Sequence, residues 1–187
     1  MVKGSNQLRI IGGEWRGRKL RFPDVTNLRP TPDRVRETLF NWLMPVIHGA
    51  SCLDLFAGSG ALGLEALSRG AAFTTFVDSH VKATQAIQSH LELLNARENS
   101  EVVQMDGMKF LSREAKPYDV VFLDPPYQSD FMQKVIPLLE QHNWLNPGAM
   151  LYLEIEKRHV LPELPANWQK LKEKTAGEVN YFLFQRN

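Results

Sequence analysis

From Ser51 onward, short apolar runs alternate with stretches of helical period. The runs SCLDLF (51–56), FTTFVD (73–78), EVVQMD (101–106) and YDVVFLD (118–124) have strand length. Between them, ALGLEALSR (61–69), VKATQAIQSHLELLN (81–95) and the residues near MKFLSRE (108–114) space their apolar positions as helices do. Strands that are apolar along their whole length are covered on both faces, and intervening helices provide parallel crossovers. The pattern therefore predicts an α/β fold with a doubly wound, mostly parallel, Rossmann-like sheet. DFMQKVIPLLEQH (130–142) predicts a further helix, which Pro137 should kink or split. GAMLYLEIE (148–156) reads as another strand. WQKLKEKTA (168–176) and EVNYFLFQR (178–186) then follow with no helix between them and Gly177 near the turn, which predicts an antiparallel C-terminal hairpin and seven strands in all.

Ahead of this alternation the period changes. LRII, GGEWRG and RKLRF (8–22) suggest a short hairpin, and a loop rich in Pro, Asp and Asn leads to Pro30. In TPDRVRETLFNWLM (31–44), Thr31 is placed to cap a helix, Pro32 to open it, and Val35, Leu39 and Leu43 share one face. This divides the chain into an N-terminal extension, 1–30, and a domain, 31–187.

Composition changes this picture little. The 187 residues suit one domain, and 43% hydrophobic with 23% charged residues is ordinary for a globular protein. No apolar run reaches the length of a membrane span, and the first ten residues lack a signal peptide's apolar stretch. With Cys52 as the sole cysteine, a reducing cytoplasm is the expected location.

Charge changes it more. Residues 1–36 carry nine Lys or Arg against Glu14, Asp24 and Asp33, a net +6, which leaves the remaining 151 residues at −5. Any single basic run is most simply a solvated face. Here, however, the cations are mostly arginines set among Trp15, Phe22 and glycines, a composition suited to phosphates and bases. Arg9, Arg16, Arg18, Lys19, Arg29, Arg34 and Arg36 become candidate RNA contacts. Arg34 and Arg36 remain open between RNA, a cofactor carboxylate and the solvent side of their own helix.

DLFAGSGALG (54–63) places Gly58, Gly60 and Gly63 in G-x-G-x-x-G spacing between a strand and a helix, where backbone N–H groups can meet a ligand. Asp78 ends the next strand, positioned to hold ribose hydroxyls. NAD and S-adenosylmethionine both carry that ribose, so the loop does not choose between them. Asp54 would repel a pyrophosphate and hold an ammonium group, and Asp106 could accept from an adenine amine; both favour S-adenosylmethionine. Each acid could equally be a helix cap or a solvated strand end. Four of them, at 54, 78, 106 and 124, lie at or near the ends of successive strands, where such sheets bind ligands.

DPPY (124–127) follows the fourth of these strands. Prolines stiffen the turn, so that Asp124 and the Pro125 carbonyl can accept both hydrogens of one amino group, with Pro126 fixing the bend and Tyr127 offering a stacking face. In a doubly wound sheet the first and fourth strands are neighbours, so this turn and the glycine loop open onto one crevice. Accepting the hydrogens of an exocyclic amine stabilises the positive charge that develops when it attacks an activated methyl group. The five histidines form no metal-like spacing, and no metal is expected.

With these residues in place, DLFAGSG and DPPY resemble the first and fourth motifs of class I S-adenosylmethionine-dependent methyltransferases. RIIGGEWRGRKL, LRPTPDRVRETLFNWL and CLDLFAGSGALGLEALSRGA resemble the RsmD family, bacterial methyltransferases of guanine N2 in 16S ribosomal RNA, at guanine-966. The resemblance implies S-adenosylmethionine as cofactor, held by Asp54, Phe56, Ala57, Gly58, Gly60, Asp78, Asp106, Gly107 and Asp124. It also implies guanine at Asp124, Pro125, Pro126 and Tyr127, and 16S rRNA of the small ribosomal subunit as partner of an expected monomer. The alternatives are amino methylation of adenine or cytosine in DNA or of a protein glutamine, a nicotinamide-dependent oxidoreductase, and a non-catalytic RNA-binding assembly factor.

Overall fold

The computed structural model describes residues 6–22, 30–125 and 131–187. The chain opens with β1 (Gln7–Arg9) and β2 (Lys19–Arg21), an antiparallel pair, and continues into α1 (Asp33–Leu43). Then come β3 (Ser51–Asp54), α2 (Ala61–Ser68), β4 (Phe73–Asp78), α3 (Val81–Leu93), β5 (Ser100–Gln104), α4 (Gly107–Leu111), β6 (Tyr118–Leu123) and α5 (Phe131–Gln141). The chain ends with β7 (Leu145–Glu156), β8 (Trp168–Ala176) and β9 (Val179–Arg186).

The larger sheet has seven strands in the order β5-β4-β3-β6-β7-β9-β8, with β5 to β7 parallel and β9 antiparallel to both its neighbours. The expected neighbours β3 and β6 do lie side by side, with Asp54 level with Phe122. Val120, Val121, Phe122 and Leu123 are all fully buried, as a strand covered on both faces requires. Cys52 lies in the same core and is likewise inaccessible.

Two local expectations change. Pro137 does not divide its helix, because α5 runs through it as one element. A proline at its seventh residue removes one backbone donor, while Met132, Val135, Ile136 and Leu139 bury the helix's apolar face. Thr31 does not cap α1. Pro32 occupies the N-cap position, extended at φ −56° and ψ 146°, and its carbonyl accepts from Val35 and Arg36. The Thr31 hydroxyl lies against Asp124 instead, where it favours the ionised carboxyl.

The hairpin of β1 and β2 is fastened to α2. Glu65, fully buried on α2, accepts from the Ile11 and Gly12 N–H groups at 2.9 and 2.8 Å, from Arg69 Nε at 2.8 Å and from Arg36 Nη1 at 3.3 Å. Ser68 Oγ donates to the Gly12 carbonyl at 2.6 Å and accepts from Trp15 N–H at 3.0 Å. Gly13 is required at this contact, since it has φ +77° and an added Cβ would lie 1.8 Å from the Ser68 carbonyl oxygen. Leu8, Ile10, Trp15, Leu20 and Phe22 then pack with Leu64 and Leu67 of α2 and Ile87 and Leu91 of α3.

Candidate active site

The glycine turn follows β3 directly. Gly58 and Gly60 have φ of +52° and +76°, conformations open to glycine, and the Gly60 N–H closes the turn on the Ala57 carbonyl at 2.7 Å. Gly63 has another task, because an added Cβ would come 2.2 Å from the Phe76 ring on β4. It lets α2 lie close against the sheet, so the turn and its helix N-terminus sit at the carboxyl end of β3.

The acids at the strand ends differ in environment. Asp78 is half-buried, and each of its oxygens has a backbone donor: Oδ2 accepts from Gly58 N–H at 2.8 Å, Oδ1 from His80 N–H at 2.7 Å. It thereby ties the glycine turn to the end of β4. Asp106 caps α4, with Oδ1 accepting from the Met108 and Lys109 N–H groups at 3.0 and 3.1 Å. Gly107 opens that helix, where an added Cβ would lie 3.1 Å from the Phe56 ring, and Phe56 in turn meets Phe131 edge-on, centroids 5.9 Å apart.

Asp54 lies deeper, only 3% exposed, and accepts from Gly63 N–H at 3.0 Å. Burial pushes its carboxyl up to about 7, against the opposing pull of the Gly63 bond. Asp124, just past β6, is raised well above the carboxylate range by burial first, then by the charges of Glu154 and Asp54; the Thr31 hydroxyl offsets this in part. Pro125 is half-buried beside it. Pro126 and Tyr127, expected to complete the turn, lie outside the described residues, as does Arg29.

Sequence reasoning passed over Glu154. It lies near the end of β7, only 7% exposed, and its Oε2 accepts from the Tyr152 hydroxyl at 2.7 Å. Burial raises its pKa too. The signal was a glutamate inside the otherwise apolar stretch MLYLEI, a placement that strand periodicity alone does not account for.

Among the arginines, one expectation fails. Arg36 cannot reach RNA, because it is 1% exposed and engaged on every side. Its Nε donates to the Thr31 carbonyl at 3.1 Å, and its Nη2 donates to the Arg9 carbonyl and to Asp33 at 2.8 and 2.6 Å. With its Nη1 on Glu65, this guanidinium joins α1, α2 and the hairpin. Arg34, two positions earlier on α1, is exposed. Arg9 is exposed but bonded to Asp33 at 2.8 Å, while Arg16, Arg18 and Lys19 project from the hairpin turn and β2 into solvent. Arg18 also lines a cleft of about 410 Å³ with Glu14, Trp15, Leu94, Asn95 and Asn99. The contacts of this turn with Ser68 and Arg69, at the far end of α2, set it at the amino-terminal edge of the parallel strands, away from the acids.

Residues 8–185 match the family described as Conserved hypothetical protein 95. The chain belongs to this family, the RsmD family. It is 52% identical over 183 residues to ribosomal RNA small subunit methyltransferase D of Escherichia coli, covering 98% of this chain and 92% of that protein. The Haemophilus influenzae protein of the same name is 48% identical over 182 residues, covering 96% and 94%. The solved structure of Escherichia coli yhhF superposes with a TM-score of 0.91 at 50% identity, over 97% of this chain and 98% of that one. In this RsmD-family chain, the seven-stranded sheet and both hairpins span the matched residues. No helix among the described residues is long and apolar enough to cross a membrane.

Proposed function

We propose that this RsmD-family protein transfers a methyl group from S-adenosyl-L-methionine to the exocyclic N2 amine of a guanine in 16S rRNA, the guanine-966 of the family resemblance. The observation that carries the reading is the placement of Asp124 beside the glycine turn, at the carboxyl ends of the adjacent strands β3 and β6. Cofactor and acceptor share one crevice there.

On the cofactor side, the Gly58–Gly60 turn cradles the methionine part and Asp78 takes the ribose. Asp78 has a backbone donor on each oxygen, and a carboxylate has lone pairs left for two hydroxyls. Asp106 spends one oxygen as a cap and keeps the other for adenine, while Phe56, Ala57 and Gly107 line the edge. Asp54, beneath the turn, acts through its charge on the sulfonium and ammonium groups.

On the acceptor side, Asp124 and the Pro125 carbonyl take the two amine hydrogens, and Pro126 and Tyr127 shape the turn and stack the base. The amine lone pair forms the N–C bond as the C–S bond breaks and its electrons return to sulfur. Positive charge thus moves from sulfur to nitrogen, and carboxylates at the nitrogen stabilise it. A guanine within a helix must be flipped out, at a cost of a few kcal/mol. Arg9, Arg16, Arg18, Lys19, Arg29 and Arg34 offset that cost through phosphate contacts, with the 1–30 extension as an RNA-contacting element of a monomeric cytoplasmic enzyme acting on the small subunit. The deciding experiment is transfer of labelled methyl from S-adenosylmethionine to small ribosomal subunits, their naked RNA and DNA, followed by nucleoside analysis. N2-methylguanine in 16S rRNA is expected; label in DNA, or cofactor binding with no transfer, would overturn the proposal.

A further inference from the structure

Asp124 has a buried acidic neighbour to which the reaction as described gives no part. The parallel register that pairs Phe122 with Tyr152 and Leu123 with Leu153 makes Glu154 the next partner of Asp124. Such partners project to one face of strands about 4.8 Å apart. That face is fixed by Phe122 and Tyr152, whose rings meet edge-on at 6.5 Å in the core beneath α1.

Among the described residues, the groups facing the pair are Asp54 from β3, Tyr152 from β7, Tyr181, which is the register partner of Glu154 on β9, and the Thr31 hydroxyl from ahead of α1. Of these, the Tyr152 hydroxyl donates to Glu154 at 2.7 Å, and the Thr31 hydroxyl lies against Asp124. Two carboxylates this close in a partly dry site do not both ionise, and one of them keeps a proton. The Tyr152 hydroxyl at 2.7 Å stabilises negative charge on Glu154, which leaves the proton on Asp124.

We propose that Asp124 and Glu154 share a single proton, and that Glu154 is a positioning residue which, by accepting that proton's hydrogen bond, turns the other Asp124 oxygen toward the substrate amine. The inference rests on the proposed function and assigns the departing proton. After methyl transfer the nitrogen carries one proton more than the product. That proton passes to the pair, which then holds two and is neutral, and one is later released to water.

The test is the pH dependence of kcat/KM for methyl transfer to small-subunit RNA, which reports ionisations of the free enzyme. The shared proton is lost in the second ionisation of the pair, which sets the alkaline limb. Glu154→Gln leaves a single carboxyl beside a permanent amide donor, so that alkaline limb should disappear while an acidic limb remains. Tyr152→Phe removes the donor that stabilises the anion, so the ionisations of the pair should move about half a unit higher. Loss of shape alone would produce neither change. Affinity for S-adenosylhomocysteine and the Tm establish that each variant is folded, and Tyr152→Phe, which deletes one oxygen, carries the test should Glu154→Gln not fold. An active wild type whose folded Glu154→Gln variant keeps the alkaline limb, or whose Tyr152→Phe variant leaves the profile in place, would overturn this inference alone. A wild type that transfers no methyl group to RNA would overturn the proposed function and this inference with it.

Discussion

Two carboxylate clusters in this molecule are compensated in opposite ways. Glu65, beneath the hairpin, is surrounded by Arg36, Arg69 and two backbone N–H groups. Asp124 and Glu154, at the strand ends, are met among the described residues by the hydroxyls of Thr31 and Tyr152, with Asp54 adding a further negative charge. The first cluster is complete within the fold. The second holds a negative potential that a sulfonium, an ammonium or a methylated amine would complete, which is what distinguishes a structural clamp from a reaction site.

The difference can be broken first at its structural end. Arg36→Leu takes one of the two cations from Glu65 and leaves the Thr31 and Arg9 carbonyls without this donor, and should cost about 3–5 kcal/mol, whereas Arg34→Leu on the exposed side of α1 should stay within about 0.5 kcal/mol; urea unfolding measures both. Equal losses would erase the distinction between the two arginines. At the reactive end, Asp124→Asn should lower turnover by about 10²–10³-fold while S-adenosylhomocysteine affinity stays within about threefold. Calorimetric titration beside the methyl-transfer assay separates the two effects.

Asp78 stands between these extremes, anchored by two N–H groups yet half-buried. Asp78→Ala should weaken cofactor binding about 10- to 100-fold, as loss of a charged hydrogen bond does, and change the chemical step less than Asp124→Asn. Asp54 gives a smaller effect with a definite sign. Its folded carboxyl titrates at about 7 and an unfolded one near 4, so the free protein loses stability as pH rises between those values. A cationic cofactor prefers the ionised form, so its affinity should fall up to about tenfold per pH unit below that folded value, and Asp54→Asn should flatten the dependence. A flat wild-type profile would remove Asp54 from cofactor binding. The mildest change is expected at the hairpin, where replacing Arg16, Arg18 and Lys19 by Ala should reduce the salt slope of RNA binding by about 2–3. An unchanged slope would make that basic turn a solvated face.

The row of acids at 54, 78, 106 and 124 was legible because strand-length apolar runs locate their own ends, and ligands bind at the ends of parallel strands. The neighbours β3 and β6 followed from the same alternation. Glu154 was not legible in this way. It lies before the end of its strand, and only the register of its neighbour Leu153 against Leu123 brings it into the site. Arg34 and Arg36 read alike in sequence, two cations in one helical turn, yet one is exposed and the other is 1% exposed. Helical period sets their angular separation, but which side faces Glu65 depends on how α1 packs.

The sequence by itself determined the α/β alternation, the glycine turn and the acids that end the strands, because these depend on local period, on φ and on chain order. Tertiary structure alone decided that Arg36 is spent inside the fold, that Thr31 serves Asp124 rather than a helix cap, and that Glu154 joins the site. Each of these depends on distances between segments far apart along the chain, where burial and pairing of charge outweigh local preference.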